Sequence, residues 1–255
     1  MDAKDDQVKT ETFWEHLDEL RSCIIRALVA TVIFSAVAFS MKNLLFSIIL
    51  APHSSSFITY RLMGTAPFSI HLMNIGLTEQ FMIHLRTAIY AGVLLVSPYI
   101  LYLLFRFVSP ALYSNERRYA GMIVVSAYIM FMLGTALNYF LIFPLTVRFL
   151  GTYQVSSEVA NMLTLQSYID TLLMMNIIMG IVFELPVVCW LLARMGLLTD
   201  KYMRRYRRHA IVVILIAAAV ITPTTDAFTF FVVALPIWLL YEVSICIVRI
   251  TQKKQ

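Results

Sequence analysis

The chain has 255 residues, of which 60% are hydrophobic and only 14% are charged, and its mean hydropathy is +0.79. Soluble domains are about 45–50% apolar and about 25% charged, so this composition excludes a water-soluble globular protein and indicates an integral membrane protein. In a membrane protein, the first explanation for a net charge of +5 is membrane topology and not nucleic-acid binding. The three cysteines are widely spaced and predict no disulfide framework and no metal site. The acidic start predicts no cleaved signal peptide.

The segment 12–22 predicts a helix at the edge of the first apolar run. Thr12 and Glu15 have the spacing of a capping box. Apolar side chains recur at helical spacing on one side and acidic side chains lie on the other. Glu15 and Glu19 are one turn apart, where like charges repel mildly. Charge runs of this kind usually mark a solvated helix face and not a binding site, so the local pattern leaves both interpretations open.

Six apolar segments are candidates for membrane-spanning helices, since about 20 apolar residues cross a bilayer. Their predicted bounds are 24–50, 81–107, 119–143, 172–193, 210–222 and 227–248. The long connection from Pro52 to Gln80 predicts an ordered cap outside the membrane. We expect Pro144 to close the third span. The last two helices should be short, because the fifth segment is brief and Pro236 and Glu242 interrupt the sixth. The sequence thus predicts an all-α membrane protein with one six-span domain over residues 1–255.

The distribution of Lys and Arg predicts the orientation of the spans. When both termini are placed inside, most of the 20 basic residues fall on inner segments, as expected for cytoplasmic loops. The exceptions are Lys42, Arg61, Arg86 and Arg148. Glu19 and Glu116 then both lie on the cytoplasmic face.

Glu184 lies within an apolar helix, where a carboxylate costs about 2.5–3.5 kcal/mol on insertion scales. Such an acid is either functional or pairs with a packing partner, for which Asn176 and Asn138 are candidates. Pro186 should loosen the helix and free backbone carbonyls beside this carboxylate.

Three further acids have structural alternatives. Asp226 lies in the tight turn before the last span and has the position of a helix cap. Glu116 opens the third span and complements the helix dipole there. Glu242 either pairs with Arg249 or extends to the membrane surface. The chain has no nucleophile motif, no glycine-rich phosphate loop and no metal-ligand spacing, so we expect no enzyme activity, no cofactor and no metal site.

Six short motifs together carry a family resemblance. They are His16-Leu-Asp-Glu-Leu-Arg21, Ala51-Pro52, Phe107 to Glu116, Phe183-Glu-Leu-Pro186, Thr222-Pro223 before Asp226, and Leu235-Pro236 through Tyr241-Glu242. In this order they resemble the TatC family, the multispanning receptor subunit of the twin-arginine protein translocase. The resemblance runs from about residue 12 to 248 and implies a cup-shaped six-helix bundle with cytoplasmic termini and two short final helices.

The resemblance also implies roles for individual residues. The residues implied to bind twin-arginine signal peptides, or to border that surface, are Glu19, Glu116, Arg21, Phe107 and Tyr113. Those implied to line an intramembrane groove are Glu184 and Pro186. Those implied for the outer turn, where single-span partners dock, are Asp226, Pro223 and Phe230. Those implied to shape the structure are Pro52 and Pro110.

The sequence departs from the family pattern in three places. Cys23 stands where a second basic residue is usual, the turn from Thr222 to Asp226 is one residue longer, and Phe230 stands where a polar residue is usual.

The implied function is capture of folded precursor proteins in the bacterial inner membrane and their export with the proton motive force. Implied partners are TatA- and TatB-type single-span subunits, membrane lipids and further copies of the chain, but not nucleic acid. One alternative is a proton-coupled secondary transporter of a small solute, with Glu184 and Asp226 as a proton relay. Another is a structural membrane protein without a substrate.

Overall fold

The computed structural model describes residues 13–64, 68, 70–108, 120–154, 156, 162–222 and 226–252. The helices are α1 (Phe13–Ser40), α2 (Lys42–Ile49), α3 (Ile58–Leu62), α4 (Glu79–Val108), α5 (Ala120–Leu137), α6 (Phe143–Thr152), α7 (Leu165–Val182), α8 (Leu185–Arg194), α9 (Asp200–Arg205), α10 (Arg207–Ile221) and α11 (Ala227–Gln252). A 3₁₀ turn, Ala51–His53, follows α2, and a π-helical segment, Asn138–Ile142, joins α5 to α6. The all-α prediction is confirmed apart from one parallel pair of two-residue strands, β1 (Leu72–Met73) and β2 (Leu163–Thr164).

Five helical runs in the described part of the chain are long and apolar enough to cross a membrane. They are Leu17–Ser40, Glu79–Phe107, Gly121–Thr152, Leu165–Arg194 and Ala227–Gln252. The remaining predicted span is α10, which has 15 residues. It extends about 22 Å and so falls short of the hydrocarbon core of about 30 Å. The fifth predicted helix is therefore short, and its crossing of the membrane stays a prediction.

The prediction that the last helix is also short is wrong. α11 has 26 residues and continues through Pro236. A proline removes one backbone hydrogen bond, and packing on both sides of it, with Val233 and Ile237 fully buried, keeps the helix intact. Glu242 does not end the helix either, because Arg207 binds its carboxylate with an Nη2–Oε2 distance of 2.6 Å.

The predicted bounds of the first and fourth spans also need correction. The first apolar run does not continue to residue 50, because Met41 leaves the helical backbone with φ −98° and ψ 41°. The polar Lys42 and Asn43 follow this turn and begin α2. The fourth span begins at Leu165 instead of residue 172, because the Thr164 hydroxyl caps α7 by accepting a hydrogen bond from the Ser167 amide.

Pro144 does not close the third span, contrary to the prediction. The helical run continues to Thr152, with Pro144 in the first turn of α6 after the π-helical segment. A proline here leaves the carbonyl four residues earlier, that of Phe140, without an amide donor. The Thr59 hydroxyl of α3 donates to this carbonyl and thus replaces the backbone bond that the proline removes. The Tyr60 hydroxyl donates to the carbonyl of Pro144 itself at 3.0 Å.

The 3₁₀ turn, α3 and the two strands form what we call the cap. The prediction of an ordered connection after Pro52 is therefore confirmed for its described residues. The buried Tyr60 hydroxyl shares its single proton between the carbonyls of Pro52 and Pro144, each 3.0 Å away. Burial raises the pKa of Tyr60 above its ordinary value, and the smaller effect of Arg148 lowers it. The hydroxyl therefore stays protonated and remains a donor. The strands join the two long connections of the chain by pairing Leu72 with Leu163.

α1 and α4 pack closely and antiparallel. Phe39 stacks on His84 with 4.0 Å between ring centroids, and farther along the same pair Gly92 faces Ser35. A Cβ atom on Gly92 would lie 2.7 Å from the Ser35 backbone nitrogen, so only glycine allows this approach.

The same arrangement relates α5 to α7. A Cβ atom on Gly134 would lie 2.8 Å from Cβ of Phe183, and one on Gly180 would meet the Phe131 ring. The most buried side chains lie where the π-helical segment and α6 meet α7, among them Ile142, Phe143, Ile169, Met175 and Met179. These antiparallel contacts place the starts of α4 and α7 at the cap end of the bundle. The start of α1 and the ends of α4 and α8 lie at the opposite end, which we call the Glu19 end.

Gly92→Ala should lower the free energy of unfolding by about 1–3 kcal/mol, because the added methyl group pushes against the backbone of Ser35. The measurement is thermal unfolding of the purified protein in detergent. The matched control is Gly121→Ala, since a Cβ atom there meets nothing within 4 Å and alanine favours the helix. Equal melting temperatures for the two variants would contradict the close contact between α1 and α4.

Candidate functional site

The helix register brings Glu19 of α1 and Phe107 of α4 to the same end of the bundle. From the contact between Ser35 and Gly92, Glu19 lies about 24 Å back along α1 and Phe107 about 22 Å forward along α4, at 1.5 Å per residue. Because the two helices are antiparallel, these distances run in the same direction. Two of the residues predicted to bind signal peptides are therefore at one end.

Glu19 has an available carboxylate. Its side chain is half-buried, and no described residue forms a hydrogen bond or ion pair with it. The turns of α1 beside it carry both signs of charge, since Asp18, Arg21 and Arg26 line an open hollow of about 310 Å³ together with Ser22 and Ile25. The predicted acidic face of this helix is therefore a mixed surface with an acid available to bind a cation.

Two predicted residues of this surface, Glu116 and Tyr113, lie outside the described residues, as does Pro110, which was predicted to shape the structure. The flanking helices define where their segment begins and ends. α4 ends at Val108 and α5 begins at Ala120, both at the Glu19 end. Joint binding by Glu19 and Glu116 therefore stays a prediction.

Glu184 lies in a break between α7 and α8 and not in the middle of one helix. α7 ends at Val182, and α8 begins at Leu185 with Pro186 in its first turn, as the sequence predicted for this proline. The Glu184 side chain is half-buried, and its Oε1 atom is buried without a described hydrogen-bond donor. The neighbouring Ile181 is 60% exposed, so this acid lies beside a surface that faces the surrounding membrane.

The two asparagines that the sequence suggested as packing partners of Glu184 form a hydrogen bond with each other. Asn138 donates from Nδ2 to Oδ1 of Asn176 at 2.8 Å, and both side chains are buried. The alternative in which Glu184 forms a packing hydrogen bond with either asparagine is therefore wrong.

At the last turn the structure confirms the capping alternative for Asp226. Its Oδ2 atom accepts a hydrogen bond of 2.7 Å from the Thr229 amide at the start of α11. Phe230 is half-buried and lies against Phe231. Pro223 lies outside the described residues. A role of this turn in partner docking stays a prediction.

Two ion pairs between helices were not predicted from the sequence. Arg86 of α4 donates from Nη1 to both carboxylate oxygens of Asp170 on α7 at 2.9 Å. Glu242 pairs with Arg207, so the suggested pairing with Arg249 is wrong. Both pairs join residues far apart in sequence, and charged residues in apolar segments are the signal that each needs a partner.

Comparison with known proteins matches most of the chain to one protein family. Residues 15–236 match the family model for the Sec-independent protein translocase protein TatC. A protein of that name from Blattabacterium sp. subsp. Periplaneta americana (strain BPLAN) is 33% identical over 258 residues and covers 95% of this chain and 97% of its own. One from Aquifex aeolicus (strain VF5) is 32% identical and covers 94% and 96%. A crystal structure of the twin arginine translocase receptor TatC matches with TM-score 0.79 and 32% identity, and the match covers 93% of this chain and 100% of that one.

Proposed function

Because the chain belongs to the TatC family of Sec-independent protein translocase proteins, we propose that it is the subunit that receives twin-arginine signal peptides. As a member of that family it is a protein-transport component and not an enzyme. The observation that carries the proposal is the carboxylate of Glu19, which no described residue engages, at the end of the bundle where α4 ends and α5 begins.

The chemistry of capture follows from the shape of the guanidinium group. It is planar and always charged, and it offers a fork of donors that one carboxylate accepts in bidentate fashion. Two adjacent arginines need two carboxylates, which are Glu19 and, in the proposal, Glu116. Phe107 and Tyr113 border them, and Arg21 belongs to the same surface. A lysine pair has the same charge but lacks the fork, so it should bind less tightly.

The Glu19 end is the cytoplasmic end in this proposal. It carries the basic segment of α9 and α10, including Arg204, Arg205 and Arg208, as cytoplasmic loops of bacterial inner-membrane proteins do. Both termini and the loop with Glu116 then face the cytoplasm, with α10 as the sixth, short span. The precursor therefore meets the acids before it meets the membrane.

The later steps of transport involve the break at Glu184. The apolar part of a signal peptide lies along the exposed surface of α7 and α8, and single-span TatA- and TatB-type subunits join near Asp226 and Phe230. Several copies of the chain assemble with them. Glu184 takes up a proton when the proton motive force acts, since a carboxylate beside a membrane-facing surface is less costly when neutral. Export of folded proteins follows from these steps.

The alternative of a proton-coupled transporter for a small solute is not supported, because the relatives and the matching crystal structure are translocase proteins.

Glu19→Gln and Glu116→Gln should each weaken binding of a twin-arginine peptide about tenfold, because each removes one charge-assisted contact. Affinity is measured by titrating the full-length protein in detergent with a labelled peptide. The matched control is Asp18→Asn, which removes a charge from the same turn of α1 and should bind like the parent. A twin-lysine peptide should already bind the parent weakly. Parental affinity in both glutamine variants would refute the proposed capture.

Glu184→Gln should abolish transport without weakening peptide binding, because glutamine keeps the size and polarity of the side chain but cannot carry a proton. Transport of a folded precursor into inverted membrane vesicles is the measurement. Glu184→Asp restores a titratable group and should recover part of the rate. If the glutamine variant transports at the parental rate, the proton step does not involve Glu184.

A further inference from the structure

The ion pair between Arg86 and Asp170 lies on the membrane-facing side of α4 and α7. The two side chains are 53% and 39% exposed. Their neighbours along both helices are apolar and also exposed, with Met82 at 48%, Ile89 at 46% and Met174 at 41%. A charged pair on such a surface costs free energy unless its remaining polar groups find partners.

The depth of the pair places it near lipid headgroups at the cap end. The span Glu79–Phe107 has 29 residues and is about 43 Å long, so centring it on a hydrocarbon core of about 30 Å leaves several ångströms outside at each end. The backbone of Arg86 lies about 10 Å from the start of this helix, just inside the hydrocarbon boundary. A long arginine side chain reaches from there to the phosphate level.

The guanidinium retains donors that the described part of the protein does not use. Both hydrogen bonds to Asp170 come from Nη1, and no described residue accepts from Nε or Nη2. An arginine has five N–H groups, and those on Nε and Nη2 form a fork that matches two oxygens of a phosphate group. Asp170 is already engaged by Arg86 and by Gln166, whose Nε2 donates at 3.4 Å, so the pair offers donors and not acceptors.

We propose that Arg86, held by Asp170, binds the phosphate group of a membrane lipid in the cap-end leaflet. Asp170 fixes the direction of the guanidinium by holding Nη1, which turns Nε and Nη2 outward. The exposed Ile89 and Met174 side chains, which lie deeper in the membrane than the pair, contact the acyl chains of the same lipid. This site is separate from the surface at the Glu19 end and needs no signal peptide.

The test is lipid retention by the purified full-length protein, measured by native mass spectrometry after titration with phosphatidylglycerol. Arg86→Gln should weaken binding of one lipid about tenfold, because it removes the charge-assisted bonds. Asp170→Asn should bind the lipid at least as tightly as the parent, since the amide oxygen still accepts from Nη1 while the guanidinium is no longer neutralised. Arg86→Lys keeps the charge without the fork and should fall between the parent and the glutamine variant.

Two controls distinguish this site from lipid adsorption elsewhere on the protein and from a simple anion site. Arg61→Gln removes an exposed arginine of the cap and should leave lipid retention unchanged. Inorganic phosphate should displace the lipid only weakly, because it lacks acyl chains. If Arg86→Gln retains the lipid as the parent does, or if inorganic phosphate binds Arg86 as tightly as the lipid, the proposed lipid site is wrong.

Discussion

The close contact between Ser35 of α1 and Gly92 of α4 fixes where Glu19 lies. α1 is otherwise loosely held, since only 11% of its spanning window is buried, against 44% for the run through α7 and α8. A slip of one helical turn along this contact would move Glu19 by about 5.4 Å, which is farther than a hydrogen bond reaches. The close approach of α4 to Ser35, which any side chain at residue 92 would prevent, therefore also determines where the first turns of α1 lie.

A second constraint comes from the membrane, where every backbone carbonyl needs a donor within the protein. The bundle meets this demand with hydroxyl groups near its cap end. Thr59 and Tyr60 serve the carbonyls around Pro144, while Tyr139 and Tyr168 donate to the last carbonyls of α2. The cap thus supplies donors at the helix break around Pro144, which explains why α3 is held against the bundle. At the Glu19 end, side chains serve the connection after α8 in the same way. The Tyr241 hydroxyl donates to the Met203 carbonyl at 2.8 Å, and Gln252 Nε2 donates to the Leu198 carbonyl at 3.2 Å.

Composition and charge were sufficient to predict a helical membrane protein, because both depend on sums over the chain. Helix ends were harder to predict because they depend on contacts between distant residues. Pro144 has the local features of a helix end, but donors more than 80 residues away supply the bonds around it. The break at Glu184 was easier to foresee because Pro186 acts within its own helix. Glu242 could not be assigned its partner, since Arg207 lies on another helix and no periodicity relates the two.

The central claim is that the Glu19 end of the bundle receives the signal peptide. The most direct measurement is photo-crosslinking from a probe beside the arginine pair of a precursor's signal peptide to the full-length protein, with the crosslinked residues mapped by mass spectrometry. The account predicts crosslinks to the first turns of α1 around Glu19 and to the end of α4 around Phe107. Crosslinks confined to the cap, or spread equally over both ends of the bundle, would contradict it.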